Sequence, residues 1–299
     1  MTEHPELRAA DLHAALRDPA IAGIVSTIGG DDSIRILPHL DLELIAAHPK
    51  VFLGYSDSTC THMAFLAAGV TSFYGPSILS GFGENAGLHD YLVRGVRATV
   101  FGEAGASYSP QNPGEWPANT DGWTVQRFAW ENKLLQMRAR ALTQSTGPVW
   151  HLGMADASGV VEGPLVAGCL EVLDWLRGTA WWPRLAGCVL AIETSEEAPT
   201  TEQVQRMLRA IAAGGELAEV AAILVGRPGG HELPVADHAA YAEMVRAVVH
   251  DELGATHVPV IGNLDFGHTD PMWTLPIGVD TRIDCGARSI AFIGPCTTS

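Results

Sequence analysis

The fold of this chain is decided by the stretch Val51-Phe52-Leu53-Gly54-Tyr55-Ser56-Asp57-Ser58-Thr59. Its first three residues are apolar and predict a buried strand, and a helical pattern follows Thr59. Ser56 lies at the turn between them. A serine at a strand-to-helix turn has its hydroxyl exposed beside the positive end of a helix, as a nucleophile requires. The alternative is that Ser56 only caps the helix, a common role for serine at helix starts.

Helices and strands alternate on both sides of this turn. Upstream and directly downstream, apolar periodicity predicts a helix over 5–17, a strand over 21–28, a short helix over 36–45 and a strand over 70–74. In the second half, the predicted strands are 159–166, 187–192, 221–225 and 258–264, the predicted helices are 170–176, 201–213 and 239–253, and closing strands fill 273–293. This alternation is typical of α/β proteins with parallel sheets.

The chain is therefore predicted to have an α/β fold with two domains. Residues 1–101 form an N-terminal parallel-sheet (Rossmann-like) domain that carries Ser56, and residues 146–299 form a C-terminal α/β domain with β-rich closing strands. Residues 102–145 are a linker or lid, since their first half is rich in Ser, Pro, Asn and Gly. Trp116, Trp123 and Trp130 can stack on a flat substrate group, although packing at the domain junction explains them equally well.

Composition excludes several classes of function. The formal charge is −16 and no Lys or Arg cluster is present, which argues against a nucleic-acid partner. No apolar run approaches the roughly 20 residues of a membrane helix. The start of the chain lacks the basic and apolar regions of a signal peptide, so a cytoplasmic location is expected. The five scattered cysteines favour reduced thiols over disulfides or zinc ligands.

Three candidate catalytic residues follow strands of the predicted sheets. Ser56 follows strand 51–53, Glu193 follows strand 187–192, and His268 lies in the loop after strand 258–264. Ligands bind beyond the carboxyl ends of strands in open sheets. These residues can supply a nucleophile, a general base and an acid that orients the base.

An oxyanion site is predicted beside them. Gly29 and Gly30 end the strand over 21–28, and glycines let backbone N–H groups turn towards a ligand. The N–H groups of Asp57 and of this loop, at Gly30, are the expected oxyanion donors. Glu196, Glu197 and Glu202 are explained instead as acidic residues in a first helical turn. No cluster has metal-ligand spacing, so no metal or other cofactor is expected.

Four motifs, in order, resemble those of the LD-carboxypeptidases and their microcin C immunity relatives. They are Ser26-Thr27-Ile28-Gly29-Gly30-Asp31-Asp32-Ser33, then Gly54-Tyr55-Ser56-Asp57-Ser58-Thr59 with Phe73-Tyr74-Gly75-Pro76, then Ile192-Glu193-Thr194-Ser195, and finally Gly267-His268-Thr269-Asp270-Pro271-Met272, followed by Leu275-Pro276-Ile277-Gly278. The resemblance implies a cytoplasmic serine peptidase with two α/β domains, commonly a homodimer and without a metal. It assigns the catalytic triad to Ser56, His268 and Glu193.

The first motif is more similar to the microcin-immunity branch than to the murein-recycling branch. The resemblance then implies hydrolysis of the amide between an aminoacyl or peptidyl carboxylate and a nucleotide-like group. Gly29 would contact this substrate, and Trp116 or Trp123 would stack on its base. A murein tetrapeptide LD-carboxypeptidase is the alternative enzyme, and a non-catalytic binding protein is the alternative from another class. If His268 is the base, activity should fall as the imidazole becomes protonated, at a pH of about 6.5.

Two departures from the family pattern affect these expectations. Family members usually have a strand, a helix and a second strand before the helix that opens this chain. A sheet without its first strand leaves backbone groups unpaired at one edge, so either the start of the chain is misplaced or shortened, or dimerisation or rearrangement covers the gap. The chain also has Ala167-Gly168-Cys169-Leu170 where the family often has Gly-Gly-Asn-Leu, so a substrate contact there is expected to differ.

Overall fold

The computed structural model describes residues 3–102, 122–126, 128–129, 131–153, 159–230 and 233–297. Its α-helices are α1 (Pro5–Arg17), α2 (Leu42–Ala47), α3 (Thr59–Ala67), α4 (Asp90–Thr99), α5 (Lys133–Gln136), α6 (Leu170–Trp175), α7 (Thr201–Ala212) and α8 (His238–Arg246). Its strands are β1 (Gly23–Val25), β2 (Val51–Gly54), β3 (Ser72–Tyr74), β4 (Val149–His151), β5 (Val160–Cys169), β6 (Val189–Glu193), β7 (Ala222–Gly226), β8 (Val260–Leu264), β9 (Leu275–Ile277), β10 (Asp280–Asp284) and β11 (Ser289–Phe292).

The smaller of the two sheets in the described ranges contains β2, the strand that precedes Ser56. Its strand order is β1-β2-β3-β9, with β1, β2 and β3 parallel and β9 antiparallel to β3. Phe52 and Leu53 of β2 and Phe73 of β3 are buried, which is why these short apolar runs form strands. Within the predicted strand over 21–28, Gly23–Val25 form β1 and pair with Val51–Leu53 of β2. Among the described strands, β1 has β2 as its one neighbour.

The larger sheet has the order β11-β10-β5-β6-β7-β8-β4. Its centre is the parallel set β5, β6, β7 and β8, and the outer strands β10, β11 and β4 are antiparallel to their neighbours. Every residue of β6 and β7 is buried. Continuous apolar strands of this kind are typical of a parallel sheet that is covered on both faces. The α/β fold predicted from the sequence is confirmed.

One prediction of secondary structure is wrong in detail. The short helix expected over 36–45 is a 3-10 helix, Ser33–His39, followed by the separate helix α2. Pro38 lacks a backbone N–H and disfavours an α-helical residue before it, so an α-helix cannot continue through it. Asp41 starts α2 by accepting a hydrogen bond from the Leu44 N–H, 3.0 Å away.

A single segment near the C-terminus connects the two sheets. β9 pairs with β3 in the smaller sheet, and β10 pairs with β5 in the larger sheet. Between these strands, the Leu165 N–H donates to Val279 O and the Gly278 N–H donates to Leu165 O. Residues 275–284 therefore fix the position of one sheet relative to the other. The domain boundaries at residues 101 and 146 stay predictions.

Two further features concern membrane helices and cysteines. No helix in the described ranges combines the length and the apolar character that a membrane span needs. The described cysteines are free thiols, and Cys60, Cys169, Cys188 and Cys285 are buried.

The buried histidine of α3 makes the stability of the fold depend on pH. His62 is fully buried, with its ring nitrogens 2.9 Å from Gly54 O and 2.8 Å from Ser72 Oγ. Burial lowers the pKa of His62 to about 4. The unfolded chain, in which histidine has a pKa of about 6.5, therefore binds more protons between these two values, and stability is lost as the pH falls through that window.

We expect His62 to account for about 3 kcal/mol of the stability lost between pH 7 and pH 4. The measurement is the free energy of unfolding in urea at both pH values for the native chain and for His62→Asn. The pH-dependent loss should shrink by this amount in the variant. An unchanged pH dependence would show that His62 titrates normally in the folded protein.

Candidate active site

The backbone of Ser56 is held in an unusual conformation at the end of β2. Its φ is +61°, a left-handed value that non-glycine residues rarely adopt and that is common at functional turns. The Ser56 N–H donates to the Tyr74 hydroxyl over 3.0 Å, and the Thr59 hydroxyl donates to Ser56 O over 2.7 Å. The N-cap position of α3 is occupied by Ser58. Ser56 Oγ instead faces the ring of His268, which favours the nucleophile over the cap.

Ser56, His268 and Glu193 lie in one chain of hydrogen bonds. His268 Nε2 is 3.1 Å from Ser56 Oγ, and His268 Nδ1 is 2.7 Å from Glu193 Oε2. The side chain of His268 is 6% exposed and that of Glu193 is 0% exposed. Burial lowers the pKa of His268, but the carboxylates of Glu193 and Glu196 outweigh this effect and raise it to about 10. The structure thus brings the three predicted residues together, and their catalytic roles stay a prediction.

Glycine is required where the loop after β8 passes Glu193. Gly267 has a φ of +89°, and a Cβ at this position would lie 2.4 Å from Glu193 Cγ. A side chain here would push against the carboxylate that orients His268. The Gly-His sequence therefore reflects close packing between the loop and the end of β6.

The loop after β1 lies against the nucleophile turn. A Cβ on Gly29 would lie 2.9 Å from Ser56 Oγ, and one on Gly30 would lie 2.8 Å from Asp57 Oδ2. The Asp57 carboxylate accepts the Ser33 N–H, with both oxygens 3.1 Å away, and the Ser33 hydroxyl donates to Asp57 O. Burial raises the pKa of Asp57, while the hydrogen bonds from Ser33 act in the opposite direction. These contacts hold the Gly29-Gly30 backbone beside Ser56, where the sequence predicts the oxyanion donors.

Tyr74 is a residue of the site that sequence reasoning did not assign. Its hydroxyl donates to Glu193 Oε1 over 2.5 Å and accepts the Ser56 N–H. Burial raises the pKa of Tyr74 well above its usual value, and Glu193 raises it further, so the hydroxyl keeps its proton for donation. Tyr74 ends β3, the strand next to β2. The rule that functional groups gather at strand ends would have selected it.

The sequence-based explanation of Glu196 is wrong. The helix α7 begins at Thr201 with a capping box formed by Thr200 and Gln203, so Glu196 lies ahead of the first turn. Glu196 Oε2 instead lies 3.0 Å from His268 Nε2. Glu197 also precedes the helix, and Glu202 alone of the three is in its first turn.

A buried ion pair joins the predicted linker to the loop that carries His268. Arg140 Nη2 lies 2.9 Å from Asp270 Oδ2, and Arg140 Nε lies 2.9 Å from Glu84 Oε1. The backbone groups of Thr124 and Asp270 also exchange two hydrogen bonds, of 2.7 and 2.9 Å. Arg140 and Thr124 of the predicted lid are therefore bonded to Asp270, two residues after His268. Trp116 and Trp130 of this region lie outside the described residues.

Of the tryptophans that are predicted to contact the substrate, Trp123 lies within the described residues. It is 4% exposed, with its ring centroid 4.8 Å from that of His238 and 5.3 Å from the guanidinium of Arg227. These contacts match the packing role that the sequence left open, and stacking of Trp116 or Trp123 on a substrate stays a prediction. In the described ranges, no three His, Cys, Asp or Glu side chains are grouped to hold a metal ion.

Two profiles of one protein family match this chain. Residues 1–75 match the sequence profile described as the LD-carboxypeptidase N-terminal domain, and residues 162–283 match that of the LD-carboxypeptidase C-terminal domain. Both profiles together cover more than half of the chain and include Ser56, Glu193 and His268.

Individual relatives extend over nearly the whole chain. The Microcin C7 self-immunity protein MccF of Escherichia coli is 32% identical over 286 residues, which cover 95% of this chain and 77% of that protein. A probable murein peptide carboxypeptidase of Bacillus subtilis is 28% identical over 94% of this chain and 75% of its own length. The solved structure of MccF in complex with aspartyl sulfamoyl adenosine superimposes with a TM-score of 0.78 at 26% identity and covers 98% of this chain and 82% of that one.

Loss of the Tyr74 hydroxyl should make Ser56 less reactive. In Tyr74→Phe, the Ser56 N–H and Glu193 Oε1 each lose a buried partner, a cost of about 1–3 kcal/mol per group. We expect a fluorophosphonate, which phosphonylates activated serines, to label Ser56 about 10- to 100-fold more slowly. The measurement is the labelling rate by intact-mass spectrometry. Tyr241→Phe, which removes a hydroxyl bonded to Pro199 O, is the control, and equal rates in both variants would contradict the assignment.

A methyl group at Gly29 should displace the nucleophile. In Gly29→Ala the new Cβ would lie 2.9 Å from Ser56 Cβ and Oγ, so one of them must move. We expect labelling to slow about 100-fold, since a displacement of about 1 Å has this effect on a reacting group. Gly214→Ala, at an exposed glycine away from the site, should keep the native rate. A native rate in Gly29→Ala would show that the loop lies farther from Ser56.

Proposed function

Because this chain belongs to the LD-carboxypeptidase family, a family of serine peptidases, we propose that it is an amidase of the microcin-immunity type. It hydrolyses the amide between an aminoacyl or peptidyl carboxylate and a nucleotide-like group. The observation that carries the proposal is the continuous hydrogen-bonded chain from Glu193 through His268 to Ser56. A nucleophile, a base and a buried acid in this order are the requirement for acyl transfer through serine.

The reaction begins with attack of Ser56 Oγ on the scissile carbonyl carbon. The hydroxyl proton passes to His268 Nε2, and Glu193 stabilises the imidazolium that forms. Negative charge develops on the carbonyl oxygen, and the N–H groups of Asp57 and Gly30 stabilise it. Ser33 and the Asp57 carboxylate hold this loop in place.

Breakdown of the tetrahedral intermediate leaves an ester on Ser56. The scissile C–N bond breaks, and His268 Nε2 returns its proton to the departing nitrogen. A water molecule then attacks the ester, giving its proton to His268, and the free carboxylate leaves as the Ser56 hydroxyl is restored. Each cycle consumes one water and releases an acid and an amine-type leaving group.

The choice of a peptidyl-nucleotide substrate is supported by the relatives. The E. coli protein of 32% identity is a self-immunity protein, and a structure of MccF contains aspartyl sulfamoyl adenosine. The Ser26–Ser33 motif also resembles the microcin-immunity branch. Trp116 or Trp123, both in the predicted linker, is proposed to stack on the base, and Gly29 to contact the substrate. A homodimer and a cytoplasmic location, which the family resemblance implies, stay predictions.

A murein LD-carboxypeptidase is the second candidate. It is favoured by the 28% identity to the probable murein peptide carboxypeptidase of B. subtilis. The same three residues would release the terminal D-alanine from a peptidoglycan tetrapeptide. The chemistry at Ser56 is unchanged, so only the leaving group distinguishes the two enzymes.

Hydrolysis of aspartyl sulfamoyl adenosine by the native chain tests the proposal. Release of sulfamoyl adenosine is followed by chromatography, and Ser56→Ala should lower kcat by at least about 10⁴-fold. Ser58→Ala, the same substitution two residues along, should retain turnover. A murein tetrapeptide is assayed in parallel. Turnover of the tetrapeptide alone would replace the first proposal with the second, and turnover of neither by folded protein would contradict both.

A further inference from the structure

His268 Nε2 faces two different acceptors. Ser56 Oγ lies 3.1 Å from this nitrogen and Glu196 Oε2 lies 3.0 Å from it. The same nitrogen must accept the Ser56 proton during acyl transfer. Glu196 therefore binds the base at the atom that the reaction uses.

The groups around His268 favour its protonated form. The end of β6 presents Glu193, the following loop presents Glu196, and the nucleophile turn presents Ser56 and the ring of Tyr55, whose centroid is 4.9 Å away. The Tyr74 hydroxyl donates to Glu193, and Glu171 accepts a hydrogen bond from the Ser195 hydroxyl. Asp270, on the same loop as His268, is paired with Arg140. With two carboxylates on one ring, the pKa of His268 is raised to about 10. A protonated His268 cannot take the Ser56 proton, so pairing with Glu196 lowers the reactivity of Ser56 in the free enzyme.

The two carboxylates differ in how firmly they are held. Glu193 is 0% exposed and is also bonded to Tyr74, whereas the side chain of Glu196 is 66% exposed. Water and ions compete for the exposed carboxylate of Glu196, which lowers the free energy that its ion pair with the buried His268 contributes. Glu196 can therefore turn away from His268 at small cost, while Glu193 stays in place.

We propose that Glu196 is a specificity-determining residue that exchanges His268 for an ammonium group on the acyl residue of the substrate. The proposal rests on the function proposed above. An ammonium group within reach of the scissile bond gives Glu196 a new partner and releases His268 to act as the base. A carboxylate at the same position would be repelled by Glu196. The ammonium is either the α-amino group of the acyl residue or an amino group on its side chain.

Titration of His268 tests the ion pair without any substrate. The chemical shifts of the ring are followed by NMR against pH in the native chain, in Glu196→Gln and in Glu197→Gln. The pKa of His268 should fall by about one unit in Glu196→Gln, since a single exposed carboxylate is removed. Glu197→Gln removes the same charge one residue along and should leave the native value. An equal pKa in all three proteins would overturn the proposal.

Substrate preference tests the exchange itself. The native enzyme and both variants are assayed with aspartyl, N-acetylaspartyl and lysyl sulfamoyl adenosine. If the side chain is recognised, kcat/KM of the native enzyme should be about 10-fold higher for the lysyl than for the aspartyl compound. If the α-amino group is recognised, kcat/KM should be about 10-fold lower for the N-acetylaspartyl than for the aspartyl compound. Either ratio should approach one in Glu196→Gln and stay native in Glu197→Gln.

The outcomes separate the two proposals. Ratios that do not change in Glu196→Gln would overturn the role of Glu196 while leaving the amidase function intact. No turnover of any compound by the native enzyme would overturn the proposed function and the specificity that rests on it. The NMR titration still decides in that case whether Glu196 and His268 are paired.

Discussion

The hydrogen bonds from Glu193 through His268 to Ser56 require strands of two separate sheets to end at one place. Ser56 follows β2 of the smaller sheet, while Glu193 ends β6 and His268 follows β8 of the larger sheet. The segment 275–284 fixes this arrangement, because β9 pairs in one sheet and β10 in the other. Tyr74 crosses the same boundary through its bonds to Ser56 and Glu193. The site therefore depends on how the sheets meet.

Electrostatics adds a second constraint at the same point. A buried glutamate orients His268, and an exposed glutamate occupies the nitrogen that the reaction needs. The two carboxylates raise the pKa of His268, so in the proposed mechanism the loss of its proton accompanies substrate binding. From the sequence, activity is expected to fall at about pH 6.5, which is the pKa of an isolated histidine. That expectation does not include the effect of Glu196. In the role proposed for Glu196, the charge of the substrate controls the protonation of His268 through this one side chain.

Local signals in the sequence predicted much of this architecture. Apolar runs located the buried strands, and the rule that ligands bind at strand ends selected Ser56, Glu193 and His268 before their proximity was visible. Contacts between distant segments carried no such signal: Arg140 pairs with Asp270 across 130 positions of the chain. The run of acidic residues predicts that Glu196 lies in the first turn of a helix, but the capping box at Thr200 makes α7 begin only at Thr201. Tyr74 lies within one of the motifs that resemble the family, but its bonds to Ser56 and Glu193 form only in the tertiary structure.

The central claim is that Ser56, His268 and Glu193 act as one unit, and a double-variant comparison tests it most directly. The rate at which a fluorophosphonate labels Ser56 is measured in the native chain, in Glu193→Gln, in His268→Ala and in the variant with both changes, with the labelled peptide identified by mass spectrometry. Glu193 acts mainly through His268, with its bond to Tyr74 as a smaller contribution, so the double variant should react at nearly the same rate as His268→Ala alone. Losses that multiply in the double variant, or labelling of the native chain at another serine, would contradict the account.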